Sequence, residues 1–297
     1  MSMTSGSPLG DELFQSSSRL KNINATTLPK PARTRIISVS NQKGGVGKTT
    51  STVNLAASLA AKGLKVMVID LDPQGNASTA LGIDHQEGTL GVYEVLIEGA
   101  AIKDAVQQSP ENPNLICLPA TIDLAGAEIE IVTSFERENW HALLKSAIDA
   151  YLAENQGLDY IFIDCPPSLG LLTVNAFVAA TEVLLPIQCE YYALEGLSQL
   201  LRNIERIQVA LNPQLVLSTI LLTMYDSRTK LASAVVDDVR HHFPVQTLNA
   251  VIPRNVRVSE APSFGRTVIS HDKSSVGSLA YLEAAIEIAQ KGAQNGR

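Results

Sequence analysis

Residues Lys43 to Thr50 read KGGVGKTT and follow directly on the apolar run Ile36 to Ser40. A strand running into a glycine-rich turn, with Lys-Thr opening a helix, is the arrangement that cradles phosphate. Gly44, Gly45 and Gly47, with Val46 between them, let backbone N–H groups converge on anionic oxygens. Lys48 is placed to reach β- and γ-phosphates and the Thr49 hydroxyl to hold Mg²⁺, and Thr50 is expected with Lys43 to Thr49 among the nucleotide-binding residues. The loop departs from G-x-x-x-x-G-K-[ST] in two ways. Its first glycine is replaced by Gln42, and an extra cation, Lys43, lies inside it. Lys48 already serves its own loop's phosphates, which leaves Lys43 for another geometry, such as the nucleotide of a facing subunit.

Two acid-bearing segments carry matching chemistry. Val66 to Asn76 reads VMVIDLDPQGN, with Asp70 at the end of an apolar run and Asp72 two residues beyond. Hydrolytic phosphoryl transfer needs a group that orients water and manages its proton. Asp72 is the candidate for that task, and Asp70 for the water shell of the metal. Asp-Pro and Gln-Gly-Asn are also good turn formers in their own right, which is the competing account of both acids. Tyr160 to Asp164, YIFID, is a second apolar run ending in an acid, and Asp164 suits the orientation of water on Mg²⁺. Pro166, Pro167 and Ser168–Gly170 follow as a stiff piece with a glycine hinge, either a phosphate-sensing switch or a plain rigid loop.

The elements that must hold these groups follow from the pattern. From residue 34 short apolar runs alternate with helical segments, which predicts βαβ units and a parallel sheet covered on both faces. Strands are expected over 35–40, 66–70, 115–119, 160–164, 182–186, 217–223 and near 247–252. Helices are expected over 49–62, 124–136, 140–154, 194–211, 231–242 and 277–290. In such sheets ligands bind beyond the carboxyl ends of the strands, where every acid above falls. Residues 1–33, rich in Ser, Thr, Asn and Pro, read as a flexible tail, and 34–297 as one domain. The chain has 297 residues, 45% hydrophobic and 18% charged, with net charge −7. That composition suits a globular core and argues against wrapping nucleic acid over the whole surface. The polar N-terminus reads as lacking a secretory signal, and Cys117, Cys165 and Cys189 form no CxxC pair, as expected in a reducing cytoplasm.

Four stretches taken in order, KGGVGKTT, VIDLDPQGN (Val68–Asn76), IDCPPSLG (Ile163–Gly170) and IPRNVRVSEAPSFG (Ile252–Gly265), resemble the ParA/Soj chromosome-partitioning ATPases of the deviant-Walker-A class, which also contains MinD. The resemblance covers nearly all of residues 34–290 and leaves out the tail. It implies a three-layer α/β P-loop NTPase fold, a mostly parallel twisted sheet with helices on both faces. It implies ATP and Mg²⁺ as cofactors and a nucleotide-sandwich homodimer in which Lys43 of each subunit reaches the other's phosphates. Asp72 would aid slow hydrolysis, Thr49 and Asp164 would serve Mg²⁺, and Pro253 and Asn255 would flank adenine. The dimer would bind duplex DNA without sequence preference, on the nucleoid, until a ParB-type partner stimulates hydrolysis.

Residues 228–273 hold seven basic and four acidic residues in an otherwise acidic chain. Clustered Arg and Lys suffice for binding phosphates, and few aromatics accompany them, which favours duplex over single strands. Arg228 and Arg257 lead the candidates, with Arg254 and Arg266 next and Arg202 and Arg206 as an extension; a solvated charged face is the plain reading. A MinD-like membrane protein would need an amphipathic C-terminal helix. Here that helix has a small apolar face and no aromatic anchor, so no stable membrane association is expected. A small-molecule kinase or synthetase on the same fold is the alternative from another class, and Glu190–Glu195 reads either as a substrate pocket or as helix start and dimer packing. The five histidines show no metal-ligand spacing.

Overall fold

The computed structural model describes residues 8–133, 139–190 and 193–294. In chain order the elements are α1 (Pro8–Ala25), β1 (Arg35–Val39), α2 (Lys48–Ala61), β2 (Val66–Asp70), α3 (Asn76–Ala80), α4 (Ile102–Ala105), β3 (Gln107–Gln108) and β4 (Leu115–Leu118). There follow α5 (Leu124–Thr133), α6 (Leu143–Glu154), β5 (Tyr160–Asp164), α7 (Leu171–Ala179), β6 (Glu182–Gln188), α8 (Ala193–Ala210), β7 (Val216–Tyr225) and α9 (Lys230–His242). The last are β8 (Thr247–Pro253), α10 (Val256–Glu260), α11 (Val268–His271) and α12 (Val276–Gln294). The expected elements recur with ends shifted by a few residues; 134–136 of the fifth helix lie outside the described residues.

The strands form one sheet in the order β3-β4-β2-β5-β1-β6-β7-β8, parallel except for the β3–β4 pair. Burial of every residue of β1, β2 and β5 explains why these runs are apolar throughout rather than alternating. One core lies under α2, α3, α10, α11 and α12, the other under α5 to α9, so the sheet is the middle of three layers. β1 sits between β5 and β6, and the chain leaves it toward β2 on one side while β6 to β8 extend on the other. The crevice beyond β1 is therefore the switch point where ligands bind in open parallel sheets. β3, two glutamines long, carries no sequence signal of a strand.

The expected flexible tail is corrected over residues 8–25, which form α1. Ile23, 4% exposed, joins the core against α12, with Leu20 packed beside it. Arg19 grips Glu283 of α12 with two hydrogen bonds, of 2.9 and 2.7 Å. Lys62 donates at 2.7 Å to the Ile23 carbonyl, which also accepts the Thr26 N–H at 3.1 Å at the helix end. The serines and asparagines hid a helix whose docking surface is supplied by α2 and α12, distant in sequence.

A buried ion pair secures the opposite end of the sheet. Arg35 donates from Nε and Nη2 to the two Glu182 oxygens, both at 2.7 Å, and from Nη1 to the Ile288 carbonyl of α12 at 2.7 Å. Both side chains are nearly fully buried. The apolar side of α12 is likewise taken up by the core, with Leu279, Tyr281, Ala284 and Ile288 buried.

Candidate functional site

The glycine-rich loop leaves β1 and turns into α2 through two left-handed residues, Gly45 (φ 72°) and Gly47 (φ 87°). Side chains rarely adopt this region, so those two positions require glycine. A Cβ built on Gly44 or Gly45 would meet nothing within 4 Å, so the loop faces open space on that side. Val46 is buried, and its carbonyl accepts a 2.9 Å hydrogen bond from Thr223 Oγ1 at the end of β7. Thr223, which no sequence motif singled out, ties the loop to a strand two places away in the sheet.

Lys48 is 7% exposed and its Nζ lies 3.5 Å from the Lys43 carbonyl. Burial lowers its pKa, and the nearby Asp164 and Asp72 partly oppose that. Thr49 Oγ1 donates to Asp164 Oδ2 at 2.7 Å and Thr52 Oγ1 to Asp164 Oδ1 at 2.9 Å. Thr52 is a second residue the sequence did not reveal, one helical turn after Lys48. Asp164 is fully buried, and its pKa is pushed up to about 7, first by burial and then by the charge of Asp70. Asp70 and Asp164 are register partners on β2 and β5, which explains their mutual repulsion.

Asp72 is 8% exposed, and its Oδ1 accepts the Gln74 N–H at 3.1 Å, the turn geometry that was the competing account of this acid. Asp70 differs from its expected place in a metal's water shell. Its Oδ2 accepts both the Ser78 N–H (2.8 Å) and Oγ (2.7 Å), and Oδ1 faces the Asp72 N–H at 3.3 Å. With no exposed surface, it anchors α3 to the end of β2. Burial pushes its pKa up to about 6.

Pro253 and Asn255 lie across from the loop. With Gly47, Thr50, Thr223, Met224 and Tyr281 they line a recess of about 90 Å³. Asn255 caps α10 by accepting the Val258 N–H at 3.4 Å. Met224, in the left-handed region at φ 52°, is the non-glycine residue with positive φ among those described, and it forms one wall of the recess.

The candidate DNA contacts are exposed, and two of them, Arg228 and Arg257, are paired with acids. Arg228 forms two bonds to Asp226, at 2.8 and 2.7 Å, and Arg254 adds its charge to the same acid. Arg257 reaches Glu260 at 3.1 Å and Asp272 at 3.6 Å, and Arg266 is exposed nearby in sequence. Exposed pairs of this kind are worth little, so phosphate can replace the acid at small cost. Arg202 and Arg206 belong to α8, in the other layer from α10. In Glu190–Glu195, Tyr191 and Tyr192 lie outside the described residues. No three His, Cys, Asp or Glu among the described residues cluster as a metal site.

A family model described as an AAA domain matches residues 34–217. The sporulation initiation inhibitor protein Soj of Bacillus subtilis is 49% identical over 258 residues, which span 87% of this chain and 99% of that one. The chain belongs to the ParA/Soj family. A chromosome partitioning protein ParA of Caulobacter vibrioides is 50% identical over 254 residues, 86% of this chain and 93% of its own. A solved structure of cobyrinic acid a,c-diamide synthase from Mycobacterium smegmatis, with bound ATP analogue and magnesium, superposes with a TM-score of 0.74 at 36% identity, covering 89% of this chain and 98% of that one. The family match begins at residue 34, so α1 lies ahead of the region that it describes.

Proposed function

We propose that this chain is an ATP-hydrolysing switch in DNA segregation, dimeric with ATP and released from duplex DNA when a ParB-type partner stimulates hydrolysis. The observation that carries the reading is the division of labour between two lysines on one loop. Lys48 is buried beside Asp164 and Asp72, whereas Lys43 is half-exposed at the rim with its Nζ on Glu190, 2.9 Å away. A cation at the rim serves a neighbour's phosphates better than its own. Membership in the ParA/Soj family supports the cargo.

The donor set fits Mg-ATP. Two hydroxyls on a buried carboxylate form a hard oxygen site of the kind Mg²⁺ takes, and the loop above is open. Thr49 and Asp164 would hold the ion, which supplies charge neutralisation on the β- and γ-oxygens when bound. The Lys48 ammonium neutralises the same region, and the N–H groups of Gly44 to Thr49 orient the phosphates. Pro253, Asn255 and the recess take the base. Asp72, fixed in its turn by Gln74, holds the attacking water and accepts its proton.

The likeness to the Mycobacterium enzyme favours a second reading, a small-molecule synthetase. Its identity to this chain is lower than that of Soj or ParA, and the carboxyl end of the sheet carries no added acceptor layer among the described residues. Light scattering with ATP, ADP and no nucleotide, with and without duplex DNA, tests the first reading. Dimers confined to ATP that also bind DNA support it; turnover raised by a metabolite and indifferent to DNA overturns it.

A further inference from the structure

Lys43 does not project freely from the loop. Its backbone N–H donates to Asn41 Oδ1 at 3.0 Å, and Asn41 Nδ2 donates to the Pro186 carbonyl of β6 at 2.8 Å. Its carbonyl lies toward Lys48, so the main chain is held on both sides and only the four-carbon stem is free to move. At the end of that stem Nζ sits 2.9 Å from Glu190 Oε2, just beyond β6. Glu190 is itself oriented: its Oε1 accepts Gln188 Nε2, and its N–H donates to the Gln188 carbonyl at 2.8 Å. The loops leaving two adjacent strands, β1 and β6, are thus bridged by one ion pair at the rim of the cradle.

We propose that Glu190 is the positioning residue for Lys43, holding its ammonium on the same chain until the triphosphate of a facing copy takes it over. The inference rests on the two-subunit reading above and adds the group against which that reading must compete. A triphosphate outweighs one carboxylate in charge and offers several oxygens, whereas a diphosphate lacks the outermost group that a lysine from across an interface meets first. Both partners are about half exposed, 46% and 48%. A pair that wet shifts an equilibrium by only about two-fold, and a symmetric dimer that breaks two of them by about four-fold. Glu190 therefore tunes the threshold of association without forbidding it.

The test is the dimer dissociation constant in a non-hydrolysable ATP analogue with Mg²⁺, by sedimentation at low salt, for the wild type, Glu190→Gln and Glu190→Ala. Both variants are expected to dimerise about four-fold more tightly, with both still monomeric in ADP. The advantage should shrink toward unity at about 0.5 M KCl, where exposed charges are screened. An unchanged constant in the two variants, or an advantage that persists at high salt, overturns the inference while leaving the dimer intact. A wild type that stays monomeric at every analogue concentration overturns the dimer reading and this inference with it.

Discussion

Asp72 and Asp164 divide the chemistry between an acid in a turn and an acid sealed in the sheet. Asp72→Ala removes the carboxylate proposed to orient water and little packing. It is expected to keep ATP-dependent dimers and lose turnover by about 10²- to 10⁴-fold, the range of a general base; phosphate-release assays beside light scattering separate the two. Asp164 makes a pH prediction. Its folded pKa of about 7 lies above the 3.8 of an ordinary aspartate, so its contribution to stability is full below about pH 4 and lost as pH rises through 7. Asp70, raised to about 6, acts in the same direction. Without nucleotide, urea denaturation is expected to show stability from these groups falling between about pH 4 and 7, less steeply in Asp164→Asn; a variant with the wild-type slope would contradict the assignment. Bound Mg²⁺ favours the ionised carboxylate and should reverse the trend.

Among the helices, α12 is held at one end by Arg35 and at its outer face by α1. Glu182→Ala would leave the Arg35 guanidinium buried beside Ile288 without its carboxylate, a change of about 3 to 5 kcal/mol. The loss should appear as a lower urea midpoint with nucleotide affinity nearly unchanged, because the pair lies at the end of the sheet away from the loop. Deleting residues 1–25 uncovers α12 and α2 and removes the buried Ile23, a loss of about 1.5 to 3 kcal/mol in the same assay. The strands were readable because full burial on both faces writes itself as continuous apolar runs. α1 was not, since its apolar face is narrow and its partners lie far along the chain. β3 was invisible for a simpler reason: two glutamines gain strand geometry only from the edge of β4.

DNA affinity should depend on a dimer that presents each basic face twice. Arg228→Ala and Arg257→Ala are each expected to weaken duplex binding in the ATP state and to lower the salt slope by about one per arginine lost, two per dimer. Fluorescence anisotropy across a salt titration reads this directly, and an unchanged slope would discard the patch. The acids already paired with these arginines moderate the effect, because replacing Asp226 or Glu260 by phosphate exchanges one contact for another.

Taken alone, the residue order determined that a phosphate cradle follows the first buried strand, that acids end two others, and that one loop carries a lysine too many. Those features are local: glycine at left-handed positions, hydroxyl next to lysine, carboxylate at a strand terminus. Tertiary structure decided which acid meets which partner. Parallel pairing of β2 with β5 set Asp70 against Asp164, docking of α3 then turned Asp70 away from the cradle, and pairing of β1 with β6 brought Glu190 to Lys43. Contacts across 94 and 147 positions of chain depend on sheet order, which no local pattern encodes.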